Sequence, residues 1–210
     1  MSNIKIGRMV LGSMQTNCYF LYREETKKAV VIDPADKGMQ IYNALTQNGF
    51  EVEAILLTHA HFDHIMGTKD LKKASGVKIY APEEERVLCE SARKNLSEWG
   101  GTPFTLEPDV YVRDGEELVF DEMHMKVIAT PGHTIGSCCY YVEKAGILIS
   151  GDTLFYESTG RTDFPTGSMS TLVYSIKEKL FVLPEDTTVY PGHGDSTTIE
   201  HEKKYNPFVV

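Results

Sequence analysis

A chain of 210 residues, 41% of them hydrophobic, is long enough to bury a sizeable core, and its formal charge of -9 opposes general binding to nucleic acid or to an anionic membrane. No apolar run approaches the roughly 18 residues of a membrane span, and the Met-Ser-Asn-Ile-Lys start lacks the basic and apolar regions of a secretory leader, so a cytoplasmic protein is expected. The four cysteines, Cys18, Cys89, Cys138 and Cys139, have neither the spacing of a disulfide framework nor that of a cysteine zinc site, and they read as small buried hydrophobes.

The first three predicted strands cover residues 4–11, 17–22 and 29–32, with the polar turn Glu24-Glu25-Thr26-Lys27 between the last two. Asp33-Pro34 ends the third. Residues 37–48 carry Ile41, Ala44 and Leu45 at helical spacing, with Gly49 as a stop. Ala54-Ile-Leu-Leu57 reads as a buried strand, residues 65–74 as a helix and residues 77–80 as another strand, and this alternation argues for an α/β layered fold. Residues 82–99 are charged and helix-prone until Trp99-Gly100-Gly101-Thr102-Pro103 breaks them. Two readings are open: a lid over residues 82–103 carrying the single Trp, or a surface helix with Trp99 packed beneath it. Short strands resume at residues 110–112, 117–120, 124–129, 138–142 and 147–149. A helix over residues 167–181 has Met169, Leu172, Ile176 and Leu180 as its stripe, and a last strand covers residues 187–190. The two halves share a plan and no linker separates them, so one domain over residues 1–210 is expected.

Chemistry gathers where the strand Ala54–Leu57 stops. His59, His61, Asp63 and His64 fall within six residues, too close to remain charged and unpaired without cost, and a bound cation resolves that problem. Three later segments repeat the pattern of an apolar strand followed by a sharp turn that carries a ligand type: Thr130-Pro-Gly-His133, Ser150-Gly-Asp152 and Tyr190-Pro-Gly-His193. Residues at strand ends gather at one rim of a layered fold, so these are expected to converge on the first cluster. His124, on an alternating strand, and His201, in a charged tail, read as ordinary surface or core histidines.

These four motifs, in this order, resemble the metallo-β-lactamase superfamily, and within it the compact glyoxalase II-like (hydroxyacylglutathione hydrolase-like) branch. The resemblance implies a four-layered αββα sandwich with a two-metal site on one edge. It assigns His59, His61 and His133 to one metal, Asp63, His64 and His193 to the second, and Asp152 to both. Nitrogen and carboxylate donors without thiolate suit Zn(II), the expected metal, and also Fe(II) or Mn(II). Two such ions roughly 3.5–4 Å apart make hydroxide available near neutral pH, with Asp63 ligating and orienting it. Asp33 reads either as a partner that orients a ligating imidazole or as a turn aspartate.

The expected activity is hydrolysis of a thioester such as S-lactoylglutathione or a related acyl thiol, a small-molecule substrate, with no nucleic-acid or membrane partner. Arg161, in the loop that leaves Asp152, stands where glyoxalase II enzymes place a basic residue on glutathione; it would clasp a substrate carboxylate, or else pair with Asp163. Only residues 194–210 follow His193, the last histidine of the four motifs, so the separate helical glutathione-binding domain of those enzymes is not expected. The alternative enzyme is an iron-dependent persulfide dioxygenase, whose relatives on this fold use the equivalents of His59, His133 and Asp152. A non-catalytic metal-dependent binding protein and a β-lactam hydrolase are weaker readings, the latter because there is no export signal and Asp63-His64 is the thioesterase pattern.

Overall fold

Val30-Val31-Ile32 and Cys138-Cys139-Tyr140-Tyr141 are apolar at every position, a pattern strands carry where both faces are covered. In the computed structural model, which describes residues 4–209, both faces are covered. The Met-Ser-Asn start, which bears on the expected lack of a leader, lies outside the described residues.

The first half contributes β1 (Ile4–Leu11), β2 (Thr16–Arg23), β3 (Lys28–Ile32), β4 (Glu51–Leu56), β5 (Lys78–Pro82) and β6 (Val110–Val112), which pair in that order as one six-stranded sheet. β1 to β3 are antiparallel and β3 to β6 parallel. The second half contributes β7 (Glu117–Phe120), β8 (Met123–Ala129), β9 (Cys138–Val142), β10 (Ile147–Gly151), the small hairpin β11 (Leu154–Phe155) and β12 (Ser158–Thr159), then β13 (Thr188–Pro191) and β14 (Thr197–Thr198). Its six-stranded sheet runs β14-β13-β10-β9-β8-β7.

Side-chain alternation sorts these strands into three cores. Val30 and Ile32 of β3 face Tyr140, Ile147 and Ile149 of the other sheet in the central layer, while Val31 points outward with Ile41 and Leu45 of helix α1 (Gly38–Gln47). On the far side Cys139, Tyr141 and Leu148 meet Leu172 of helix α5 (Met169–Ser175) and Ile176 and Leu180 of the π-helical turn that extends it. Helix, sheet, sheet and helix give the expected αββα sandwich. No described helix is long and apolar enough to cross a membrane.

Three local expectations change. The helix predicted over residues 65–74 is two, α2 (Phe62–Ile65) and α3 (Thr68–Ser75), because the Gly67 N–H donates to the Pro34 carbonyl at 2.8 Å instead of continuing the first helix. Residues 82–99 do not form one helix: a 3-10 turn (Glu83–Glu85) leads into α4 (Arg86–Cys89), and turns follow. Those turns are tied down, with the Phe62 N–H on the Asn95 carbonyl and the Asn95 side chain on the Phe104 carbonyl. Trp99 is 71% exposed, so it is not packed beneath a surface helix. The charged tail contains a helix, α6 (Ile199–Tyr205), capped by Thr198, whose hydroxyl accepts the His201 N–H.

Candidate metal centre

Each donor follows a strand. β4 runs out into Leu57, Thr58 and His59; β8 leads to His133, β10 to Asp152 and β13 to His193. All four strand ends lie on one rim, and α2 begins directly after His61, so that its first turn carries Asp63 and His64. Six of the seven predicted ligands come together there in two adjoining groups, His59 with His61 and His133, and Asp63 with His64 and His193; the donor atoms of each lie within 4.8 Å of one another.

In the first group His61 Nδ1 and His133 Nε2 stand 2.9 Å apart, and the His59 ring is 4.9 and 4.8 Å from the other two, centroid to centroid. In the second, His193 Nε2 lies 3.3 Å and His64 Nε2 3.6 Å from Asp63 Oδ2. Asp152 reaches both groups: Oδ2 is 3.6 Å from His133 Nε2 and from His193 Nε2, and Oδ1 is 3.3 Å from His64 Nε2. Gly192 makes this approach feasible, since a Cβ there would sit 2.2 Å from Asp152 Oδ1 and 2.7 Å from His64 Cε1.

The outer nitrogens of His59, His64 and His133 are committed. His64 Nδ1 donates to Asp33 Oδ2 at 2.9 Å. Thr58 Oγ1 donates to the same carboxylate oxygen at 2.7 Å, which leaves it to accept from His59 Nδ1 at 3.1 Å. The Thr58 N–H donates to Asp33 Oδ1 at 2.8 Å, so Asp33 is fully engaged in holding the rings, one directly and one through Thr58. His133 Nδ1 donates to the Arg161 carbonyl at 2.6 Å. His59 and His64 must therefore present their Nε2 atoms inward, where those nitrogens and Asp152 Oδ1 are buried and make no hydrogen bond. Buried polar atoms without partners are costly, and a convergent set of lone pairs is what a cation satisfies. The residues fit divalent metal ions.

The charges of the first group agree with that fit. Burial holds His59, His61 and His133 below the usual imidazole range, His61 at about 3, so these three rings are neutral donors. Burial acts the same way on His64, but Asp152, Asp63 and Asp33 outweigh it and raise that ring. Burial raises Asp63 and Asp152 as well, yet the neighbouring imidazoles prevail and hold both carboxyls ionised, below their usual range.

Arg161 does not reach over the centre in this conformation. Its guanidinium forms a two-pronged pair with Asp163 at 2.9 and 2.7 Å and lies 4.3 Å from the Phe164 ring centroid. Phe164 in turn meets the His61 ring edge-on at 5.7 Å and Trp99 at 6.1 Å, a continuous aromatic wall beside the first group.

Sequence reasoning missed Thr16 and Asn17 and gave Thr58 no role. Thr16 Oγ1 donates to Asp63 Oδ2 at 3.0 Å, and the Asn17 amide donates to the Pro191 and Gly194 carbonyls at 2.8 and 2.9 Å, on both sides of His193. Thr58 stood visibly between the strand and His59. Nothing in the local pattern of β2 marks Asn17, whose partners lie more than 170 positions away.

A two-layered sheet sandwich with paired His/Asp donor groups on one rim defines a class of metalloprotein, and the Metallo-beta-lactamase superfamily profile matches residues 11–193. The chain belongs to the metallo-β-lactamase superfamily, most of whose members are hydrolases. It is 38% identical to the probable metallo-hydrolase YqgX of Bacillus subtilis over 208 residues, 98% of each chain. It is 33% identical to the hydroxyacylglutathione hydrolase GloC of Haemophilus influenzae over 210 residues, 99% of this chain and 98% of that one. Among solved structures it is similar to the BLEG-1 B3 metallo-beta-lactamase, with a TM-score of 0.93 and 38% identity, covering 98% of this chain and 100% of that one. It is also similar to TTHA1623 in a di-iron-bound form, with a TM-score of 0.83 and 33% identity over 96% and 99%.

Proposed function

We propose that this protein is a thioester hydrolase acting on S-lactoylglutathione or a related small acyl thiol. The observation that carries the reading is the pair of complete donor groups standing side by side with Asp152 within reach of both. The likeness to GloC, a hydroxyacylglutathione hydrolase by name, supports an acyl-thiol substrate. His59, His61 and His133 would hold one cation, Asp63, His64 and His193 the other, and Asp152 both. Zinc suits these donors, and the di-iron form of TTHA1623 keeps iron in view. Divalent cations held there would supply a water of lowered pKa and a Lewis acid for the substrate carbonyl.

The chain's own residues do the rest. Asp63 stays ionised, and the Thr16 hydroxyl on its Oδ2 fixes the carboxylate so that it can orient the attacking water. The wall of Phe164 and Trp99 gives the substrate an apolar surface beside His61. Arg161 receives a substrate carboxylate in place of Asp163: both members of that pair are exposed, so the exchange costs little, and Phe164 keeps the guanidinium over its ring.

Metal analysis combined with S-lactoylglutathione hydrolysis tests this. Expected are about two cations per chain, a kcat lowered at least roughly 100-fold in Asp63→Ala, and a raised KM with little change of kcat in Arg161→Ala. One iron with oxygen uptake on glutathione persulfide and no thioester hydrolysis overturns the proposal. The likeness to BLEG-1 favours β-lactam ring opening as a second reading. Turnover of a chromogenic cephalosporin, with thioesters left intact, would establish that reading instead.

A further inference from the structure

Glu85 closes the acidic run Glu83-Glu84-Glu85 and, by pattern, belongs in water. It is instead wholly buried. Its Oε2 accepts the Ala60 N–H at 2.7 Å, and its Oε1 accepts the Gly136 N–H at 2.8 Å and the Thr134 hydroxyl at 2.7 Å. Ala60 is the residue between His59 and His61, and Thr134 follows His133. One carboxylate thus grips both loops that supply the three-histidine group.

The grip is close. A Cβ at Gly136 would lie 2.5 Å from the Glu85 backbone nitrogen and 2.8 Å from its Oε1, so the loop closes on the carboxylate only because glycine stands there. Burial, against the three hydrogen bonds, pushes the Glu85 carboxyl up to about 7. An apolar side chain of similar volume would fill the space without that penalty. It would leave the Ala60 and Gly136 N–H groups unpaired, and the spacing of the two loops undefined.

We propose that Glu85 is a positioning residue for the cation of the His59, His61 and His133 group, its two oxygens holding the ligand loops at the separation where the three imidazoles converge. The proposal rests on the metal-centre reading. Asp33 and Glu85 act on different variables. Asp33 sets the rotation of individual rings, while Glu85 touches no ring and sets the distance between the loops that carry them.

Glu85→Gln separates acceptor chemistry from shape. Whichever way the amide turns, one end presents N–H to the Ala60 N–H or to the Gly136 N–H, and that loop must move away. The test is chelator competition on the zinc-loaded full chain, comparing wild type, Glu85→Gln, His133→Ala, which removes a donor of the first group, and His193→Ala, which removes one of the second. Glu202→Gln serves as the control for a merely structural effect, because Glu202 is equally buried and accepts from Thr197, Asn206 and the Glu157 N–H at 2.6, 2.7 and 3.0 Å. Thermal melts of the metal-free proteins accompany each titration.

Glu85→Gln is expected to release one zinc about 10–100-fold more readily, the same one that His133→Ala loses, and to keep the other at wild-type affinity. Glu202→Gln lowers the melting temperature and changes neither affinity. Should Glu85→Gln fail to fold, Thr134→Val removes one donor from the grip and must weaken the same zinc by a smaller factor. Two zinc ions held by Glu85→Gln as by wild type, or both loosened alike, overturn the proposal while leaving the metal centre intact. A wild type that binds no zinc, iron or manganese removes the metal-centre reading and this proposal together, a result of a different kind.

Discussion

At the scale of single residues, Asp33 shows how little freedom the centre has. Its backbone is left-handed, φ 51°, a conformation that Asp and Asn tolerate better than other non-glycine residues. That conformation turns the carboxylate back onto Thr58 and His64, where it accepts three hydrogen bonds. Asp33→Asn keeps the backbone preference but supplies only one acceptor oxygen, so either the Thr58 N–H, or Thr58 Oγ1 together with His64 Nδ1, faces an amide N–H, and the hold on the rings loosens. Cation affinity is expected to fall about 10–100-fold, with the fold retained, and titration with a competing chelator alongside far-UV circular dichroism measures both. Unchanged affinity would mean that packing alone holds the rings.

At the scale of elements, a polar contact adds to the apolar packing that seats α3 on its sheet. Asp109 joins α3 to β5, accepting from Lys72 Nζ at 2.6 Å and from the Ile79 N–H at 2.8 Å. Partial burial raises its carboxyl, but the Ile79 N–H and then Lys72 outweigh that and hold it below the usual range. A carboxyl depressed in the folded state stabilises fully above its unfolded pKa of about 4 and loses that contribution as pH falls through the lower folded value. Asp109→Asn should therefore cost roughly 1 kcal/mol at pH 7, and the difference from wild type should shrink as pH falls below about 4, read by urea unfolding across pH. A difference independent of pH would show that the charge contributes nothing. In the segment after α4 the inner residues Asn95, Leu96 and Ser97 are buried, while Glu98 to Gly101, which include Trp99, are exposed.

At the scale of the whole molecule, the centre joins the two halves. His59, His61, Asp63 and His64 follow β4 of the first sheet, whereas His133, Asp152 and His193 follow β8, β10 and β13 of the second. Each donor group contains members from both, so a bound cation braces the sandwich across its rim. A ligand at about 1,000 times its dissociation constant stabilises the folded state by about 4 kcal/mol. For a chain of this size chelation should then lower the thermal midpoint by roughly 10 °C, reversibly on returning zinc, as differential scanning calorimetry would record. A midpoint indifferent to chelator would argue against donors that span both sheets.

By itself the sequence determined the ligand types, their order and their placement after apolar strands. Those signals are local: strands buried on both faces read as continuous apolar runs, and a sharp Gly or Pro turn marks where each ends. Local pattern also carried most strands and α1. It failed where structure depends on a distant partner. Gly67 breaks a helix because its N–H finds Pro34, and α6 escaped notice because one of its buried residues is Glu202, which erases the apolar stripe. Only the tertiary structure decided which imidazole nitrogens face inward, since Asp33 reaches Thr58 across 25 positions and His64 across 31. Periodicity reports which face a residue buries, but the choice of hydrogen-bond partner is made between chain segments that meet only once the sheets have packed.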